Sequence, residues 1–131
     1  MQKSPLAVVT GANRGIGLAL TALLKQRGYE VIAACRSNSP ALSELGVTVI
    51  DGVDVSEQAG IDKLAAALAG RALDLLINNA GILRWETGLD ELDIEDVRRQ
   101  FEVNALAPLR VTRALSRSLQ KNQRLHPNFR L

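Results

Sequence analysis

Three glycines near the start of the chain have the spacing of a phosphate-binding turn. Gly11, Gly15 and Gly17 lie in the stretch VTGANRGIG, between a short apolar run and a segment with helical spacing of leucines. Gly11 permits a tight turn, Gly15 lets the backbone approach a pyrophosphate, and Gly17 lets the following helix pack closely. The free N–H groups at the start of that helix would face the phosphates. Glycines alone often mark an ordinary turn, but the strand before them and the helix after them favour dinucleotide binding.

A basic residue follows the second predicted strand, where an acidic residue would indicate NAD. A protein that prefers NAD places an acid roughly 20 residues past the glycines, where it binds the ribose hydroxyls. Here that stretch contains Arg36, and the next acid is Glu44. Arg36 could bind a 2′-phosphate, and Arg14 in the glycine turn could add a second charge-assisted contact. The sequence therefore favours NADP over NAD; the alternative is that both arginines are solvated surface groups.

The apolar pattern predicts an α/β domain that places these residues at one edge of a parallel sheet. Short apolar runs predict strands over residues 6–9, 30–35, 47–55 and 73–81. Helical spacing predicts three helices. The first covers residues 15–28, the second follows a cap at Ser56, and the third is one long helix over 93–119. A short Ser/Pro-rich connection joins the second and third strands. This order predicts a Rossmann-like, doubly wound parallel sheet with strand order 3-2-1-4, truncated after the fourth strand and the long helix.

The length and the charge indicate one domain without a nucleic-acid partner. The chain has 131 residues, and we expect a partial Rossmann domain over 1–119 followed by an irregular basic tail over 120–131. The net charge of +2 is mild. Arg110, Arg113 and Arg117 repeat at intervals of three and four, which is typical of a solvated helix face rather than a nucleic-acid interface.

The low counts of cysteine and histidine argue against disulfide and metal sites. Cys35 is the one cysteine and His126 the one histidine, so we expect neither an internal disulfide nor a His-rich metal site. The first apolar run breaks at Thr10 and Gly11, too early for a signal peptide or a membrane span. The expectation is a cytoplasmic protein with no metal and no membrane partner.

Four motifs together resemble the short-chain dehydrogenase/reductase family. They are TGANRGIG at 10–17, DV at 54–55, NNAG at 78–81 and FEVNALAPLRVT at 101–112. The resemblance extends from residue 5 to about residue 115, and GIL after NNAG, with the short link between the second and third strands, is similar to the C-factor branch. It implies a Rossmann fold, NADP as cofactor, and an oxidoreductase that acts on a carbonyl or an alcohol.

The resemblance also implies a role for each matching residue. Arg36 would select the 2′-phosphate, Asp54 and Val55 would hold the adenine, and Asn78 would mainly brace the sheet. Asn104 resembles the helix asparagine that supports a water in the family's proton relay, although an Asn inside a helix can instead bond its own backbone. We expect this position to be catalytically silent here. The predicted cofactor-binding residues are Gly11, Asn13, Arg14, Gly15, Ile16, Gly17, Arg36, Asp54, Val55, Asn79, Ala80 and Gly81, and the predicted catalytic residue is Asn104.

The sequence lacks the proton donor that the resemblance requires. Family members use a Tyr-x-x-x-Lys pair and a Ser. The one tyrosine here, Tyr29, has no lysine four residues later. Ser116 and Ser118 fall at the end of the predicted long helix. We expect a catalytically incomplete NADP-binding chain, a truncation or reading-frame change of a longer reductase, which acts on a substrate only if further chain completes it. The alternative is a non-catalytic oligomerising or regulatory Rossmann fragment, since an exposed fourth strand favours a homo-oligomer.

Overall fold

The computed structural model describes residues 3–84 and 88–121, which form a parallel β-sheet with helices on both faces. The elements are β1 (Leu6–Thr10), α1 (Gly15–Gln26), β2 (Glu30–Ala34), α2 (Pro40–Glu44), β3 (Thr48–Ile50), α3 (Gln58–Leu68), β4 (Leu75–Ile77), α4 (Ile94–Phe101) and α5 (Ala107–Lys121). A 3-10 turn precedes α4, and a π-helical turn at Glu102–Leu106 joins α4 to α5. The strand order β3-β2-β1-β4 confirms the prediction.

The register of the sheet brings the ends of three strands to one edge. All three strand pairs are parallel. Thr10 at the end of β1 lies opposite Ala34 of β2, and Val9 lies opposite Ile77 of β4. The chain therefore leaves β1, β2 and β4 at the same edge, where ligands of open α/β sheets bind.

β1 is buried on both faces because helices cover both sides of the sheet. Side chains alternate along a strand, so Leu6 and Val8 pack in one core layer with residues of α3 and α5. Ala7 and Val9 pack in the other layer, with residues of α1 and α2. This two-sided burial explains why the strand has a continuous apolar sequence.

Two strands are shorter than predicted. The predicted third strand over 47–55 ends at Ile50, since Gly52 takes a left-handed φ of +66° and the chain turns there. The predicted fourth strand over 73–81 is limited to Leu75–Ile77. Beyond it, the backbone N–H groups of Asn79 and Ala80 donate to the Thr10 side chain instead of to a neighbouring strand.

The helix starts differ from the predictions in two places. The Ser/Pro-rich connection contains α2, which the sequence did not predict: Ser39 caps it by accepting from the Leu42 N–H, and Pro40 occupies the first position. The prediction that Ser56 caps a helix is wrong. The Ser56 hydroxyl donates to Asp54 at 2.6 Å, and α3 begins one residue later with Glu57 as its N-cap.

The predicted single helix over 93–119 is interrupted. Asp93 caps its start as expected, accepting from the Glu95 N–H at 2.9 Å. Pro108 has no N–H to donate to the carbonyl of Asn104, and its ring crowds that carbonyl, so the helix widens into the π turn. α5 continues through Lys121, whereas the rest of the predicted tail, 122–131, lies outside the described residues. Among the described helices, none is long and apolar enough to span a membrane.

Candidate functional site

A cavity of about 760 Å³ opens at the shared edge of β1, β2 and β4. Its volume lies in the range of small-molecule and cofactor sites. It is lined by eleven of the twelve residues predicted to bind a cofactor: Gly11, Asn13, Arg14, Gly15, Ile16, Arg36, Asp54, Val55, Asn79, Ala80 and Gly81. Gly17 and the predicted catalytic residue Asn104 do not line it.

Close backbone packing requires glycine at two positions of the β1–α1 turn. Gly11 has a φ of +61°, and a Cβ there would lie 2.8 Å from the Ala80 Cα. Gly17 is buried, and a Cβ there would overlap the carbonyl oxygen of Gly11. Gly17 therefore lets the first turn of α1 pack directly on the end of β1, as predicted, while contributing no surface to the cavity.

The start of α1 offers unpaired N–H groups to the cavity. Arg14 is the N-cap in extended conformation and makes no side-chain cap hydrogen bond, and the first turn contains no acidic residue. No heavy atom lies within 4 Å of a Cβ built at Gly15 beyond its chain neighbours and its own helix. An uncapped helix start with its partial positive charge and open space in front fits an anionic group such as a diphosphate.

Thr10 ties the two strand ends together, and sequence reasoning missed it. The residue is 1% exposed, and its Oγ1 accepts from the N–H groups of Asn79 and Ala80 at 3.0 and 3.1 Å. The Asn79 side chain donates back to the Gly11 carbonyl at 3.1 Å. Asn79, which was predicted to lie along a cofactor, thus uses its amide nitrogen to brace the glycine turn. A hydroxyl residue at the end of an apolar strand was the available signal.

Asp54 presents an ionised carboxylate to the cavity. Its Oδ1 accepts from the Ser56 hydroxyl at 2.6 Å and from the Ser56 N–H at 3.0 Å. The hydroxyl bond, followed by the backbone bond and by the positive charges of Arg36 and Arg99, holds the pKa of Asp54 below its ordinary value against the opposing effect of burial. Val55 is buried beside it. The pair offers a hydrogen-bond acceptor and an apolar wall.

Three arginines line the cavity, and the sequence singled out two of them. Arg14 and Arg36 lie where the sequence predicted, at the β1–α1 turn and after β2. Arg99, on α4, lines the same cavity. The sequence did not predict this, because Arg99 is far from the glycine turn in sequence and belongs to none of the cofactor-binding motifs. All three also line a second cavity of about 490 Å³, together with Arg84. Four arginines therefore contribute to the lining of the two cavities.

Asn104 and Asn78 hold neighbouring segments in place. Asn104 lies in the π turn, where its side chain accepts from the Ile82 N–H at 2.8 Å and donates to the Ile82 carbonyl at 2.6 Å. The alternative that Asn104 bonds its own backbone is therefore wrong. Asn78 donates to Thr112 on α5 at 3.1 Å, which agrees with a bracing role.

Cys35 lines the cavity but is a buried thiol. Burial, and to a lesser degree the charge of Asp51, raises the pKa of Cys35, which keeps the thiol protonated. Within residues 3–84 and 88–121, no three His, Cys, Asp or Glu side chains are grouped as they would be around a metal ion.

The chain is similar to known dehydrogenases and reductases. A family model described as short chain dehydrogenase matches residues 5–124. A 1-hydroxy-2-glutathionyl-2-methyl-3-butene dehydrogenase of Rhodococcus sp. (strain AD45) is 40% identical over 110 residues, which cover 82% of this chain and 48% of that protein.

Solved structures show the same similarity. The NADPH-bound carbonyl reductase from chicken fatty liver has a TM-score of 0.79 and 33% identity, covering 92% of this chain and 53% of that one. The L-sorbose reductase of Gluconobacter frateurii, complexed with NADPH and L-sorbose, has a TM-score of 0.78 and 28% identity, covering 91% and 49%. The chain thus spans about half the length of the curated relatives it matches, and of these structures.

Proposed function

The chain belongs to the short-chain dehydrogenase family, and we propose that it binds NADP in the cavity at the edge of the sheet. One observation carries the proposal: the glycine turn, Asp54 and Arg36 come from distant parts of the sequence and line one cavity. The binding residues all fall within the proposed partial Rossmann domain of residues 1–119. The C-factor branch within the family stays a prediction.

The lining residues fit the parts of a dinucleotide. The diphosphate would meet the open backbone of Gly15 and Ile16 at the start of α1. The Asp54 carboxylate would accept from the exocyclic amine of the adenine, with Val55 as an apolar wall. Arg36 would bind the 2′-phosphate. The bound cofactor supplies or accepts a hydride at its nicotinamide, on which the oxidoreductase chemistry of this family depends.

Two observations support NADP over NAD. Arg36 lies two residues after the end of β2, where an acid would favour the free ribose hydroxyls of NAD. The similar carbonyl reductase from chicken fatty liver and the L-sorbose reductase of Gluconobacter frateurii both contain NADPH in their solved structures.

Fluorescence titration with NADPH and NADH tests the cofactor proposal. We expect Arg36→Gln to weaken NADPH binding by about tenfold, with little change for NADH, because the variant loses a charge-assisted contact to the 2′-phosphate. Arg27→Gln, at the exposed end of α1, is the matched control and should leave both affinities unchanged. No saturable signal at millimolar cofactor, or equal affinities in the wild type and Arg36→Gln, would remove the NADP assignment.

We propose further that this chain alone binds the cofactor without turning over a substrate. Its sequence has no Tyr-x-x-x-Lys pair, so the proton transfer that contributes orders of magnitude to the rate is missing. A reductase acting on a carbonyl or an alcohol would need a tyrosine, a lysine and a serine from further chain. NADPH consumption by the purified chain with a panel of aldehydes and ketones is expected to be undetectable, and measurable turnover would contradict this.

A reducing, cytoplasmic setting is also our proposal, supported by the single buried cysteine.

A second candidate function is homo-oligomerisation. The observation in its favour is a row of apolar side chains on α4: Ile94, Val97 and Phe101 are 57%, 42% and 59% exposed and repeat at intervals of three and four. In the described part of the sheet, β4 pairs only with β1, which leaves its other edge open. Size-exclusion chromatography with light scattering tests this candidate, and a monomer at high concentration would contradict it.

A further inference from the structure

Three arginines from three separate elements contribute to the lining of both cavities. Arg14 comes from the β1–α1 turn, Arg36 follows β2, and Arg99 lies on α4. Each of them lines both cavities, so their side chains border the same space. Positive charges that border one space repel one another, and an anion bound among them offsets that repulsion.

The acids near Arg99 on α4 are paired with other arginines. Asp96 pairs with Arg84 at 3.7 Å, and Glu95 pairs with Arg98 at 3.5 Å. Within the described ranges, no carboxylate forms an ion pair with Arg14, Arg36 or Arg99. Asp54, whose pKa is lowered by the charges of Arg36 and Arg99, shares the cavity with them without forming an ion pair, so the cluster keeps a net positive charge for a ligand.

The charge of the main cavity matches a phosphate monoester. Its described lining residues include three arginines and one acid, Asp54, and these four groups together carry +2. A phosphate monoester carries about −1.5 to −2 at neutral pH. The start of α1 meets the diphosphate separately, so the arginine charges remain for a second phosphate group.

We propose, resting on the NADP binding argued above, that Arg99 is a third 2′-phosphate-binding residue that helps to select NADP. Its position on α4 lets it approach the phosphate from a different element than Arg36 and Arg14. Guanidinium groups from three elements enclose a phosphate and add directional, charge-assisted hydrogen bonds. Arg99 is thus a specificity-determining residue that acts on the ligand from the helix after β4.

NADPH and NADH distinguish this role, since they differ only in the 2′-phosphate. We expect Arg99→Gln to weaken NADPH binding by about fivefold and to leave NADH binding unchanged. Arg99→Lys should retain part of the NADPH preference because it keeps the charge but loses the planar donors. Arg98→Gln is the matched control: Arg98 is the adjacent arginine on the same helix, is paired with Glu95, and lines neither cavity.

The possible outcomes separate this inference from the proposed function. If the wild type prefers NADPH and Arg36→Gln removes the preference, but Arg99→Gln behaves like Arg98→Gln, only the role of Arg99 is overturned. An equal loss of affinity for NADPH and NADH in Arg99→Gln also overturns the role of Arg99 in selecting NADP, because Arg99 would then contact a part of the molecule that both cofactors share. If the wild type binds neither cofactor, both proposals fail. Thermal denaturation of each variant verifies that lost binding does not reflect lost folding.

Discussion

The β1–α1 turn and the outer face of α4 differ sharply in how their residues are packed. In the turn, backbone touches backbone: Gly17 is buried against the Gly11 carbonyl, and Thr10 is 1% exposed with its hydroxyl accepting two hydrogen bonds. On α4, large apolar side chains face outward, with Phe101 59% and Ile94 57% exposed. Both regions belong to the same sheet-and-helix domain, yet one is closely packed and the other is uncovered.

This difference separates a region whose contacts lie within the described chain from a region whose apolar side chains lie exposed. The residues of the turn find their hydrogen-bond partners within the chain, since Thr10 and Asn79 connect the ends of β1 and β4. The apolar row on α4 has no cover among the described residues. The edge of the sheet at the glycine turn is thus held together by contacts within the described chain, whereas the apolar face of α4 is exposed.

The largest expected effect is at Gly17. Gly17→Ala places a methyl group onto the Gly11 carbonyl, which is backbone and cannot move aside without displacing β1 or α1. We expect the free energy of unfolding to fall by about 3 kcal/mol. Urea denaturation followed by circular dichroism measures this loss.

Gly15→Ala is the control for the glycine turn. No neighbouring atom meets a Cβ at Gly15, so the substitution suffers only from the left-handed φ of +55°. That conformation costs an alanine about 1 kcal/mol. Equal losses at Gly15 and Gly17 would show that conformation, rather than close packing, dominates the turn.

The next effect is at Thr10. Thr10→Val keeps the shape of the side chain but removes the oxygen that accepts from Asn79 and Ala80. We expect a loss of about 2 kcal/mol, because two partly buried N–H groups lose their acceptor. Thr112→Val, which removes the acceptor of a single hydrogen bond from the exposed Asn78, should cost well under half as much in the same denaturation experiment. A loss at Thr10 no larger than at Thr112 would contradict the bracing role.

The sequence predicted what depends on local patterns and missed what depends on distant contacts. The glycine turn, the buried strand β1 and the sheet order follow from short stretches with clear periodicity. The hydrogen bonds of Thr10 join residues 69 and 70 positions away, and Asn104 bonds Ile82 across 22 positions. Arg99 reached the site only because α4 folds beside the cavity. The strand ends were overestimated, since apolar residues such as Val53 are buried in loops as well.

A smaller effect is expected at Ser56, and it should depend on pH. Ser56→Ala removes the hydroxyl donor that contributes most to the lowered pKa of Asp54. Because the folded pKa lies below the unfolded one, this stabilisation is present above the unfolded pKa and is lost as the pH falls through the folded pKa. We expect the free energy of unfolding to fall by about 1 kcal/mol at neutral pH, a figure that already includes partial screening of Asp54 by solvent.

Unfolding at several pH values measures this dependence. The difference in unfolding free energy between wild type and Ser56→Ala should shrink as the pH falls through the lowered folded-state pKa of Asp54, because the carboxylate then protonates. Ser116→Ala is the control, since its hydroxyl donates to the Arg113 carbonyl and touches no carboxylate. A difference at Ser56 that stays constant over this pH range would show that the bond does not act through the charge of Asp54.

The smallest effect on stability is expected on α4, and it tests the other side of the comparison. Phe101→Ser changes an exposed side chain, so the unfolding free energy of the monomer should change by no more than about 0.5 kcal/mol. If the apolar row contacts a second surface, the same substitution should shift the light-scattering mass toward the monomer. Leu23→Ser removes a partly exposed leucine from α1 and should leave the mass unchanged. An associated mass that Phe101→Ser leaves unchanged would contradict a contact through α4. The copies would then pair through the open edge of β4, because that edge presents backbone groups that side-chain substitutions leave in place.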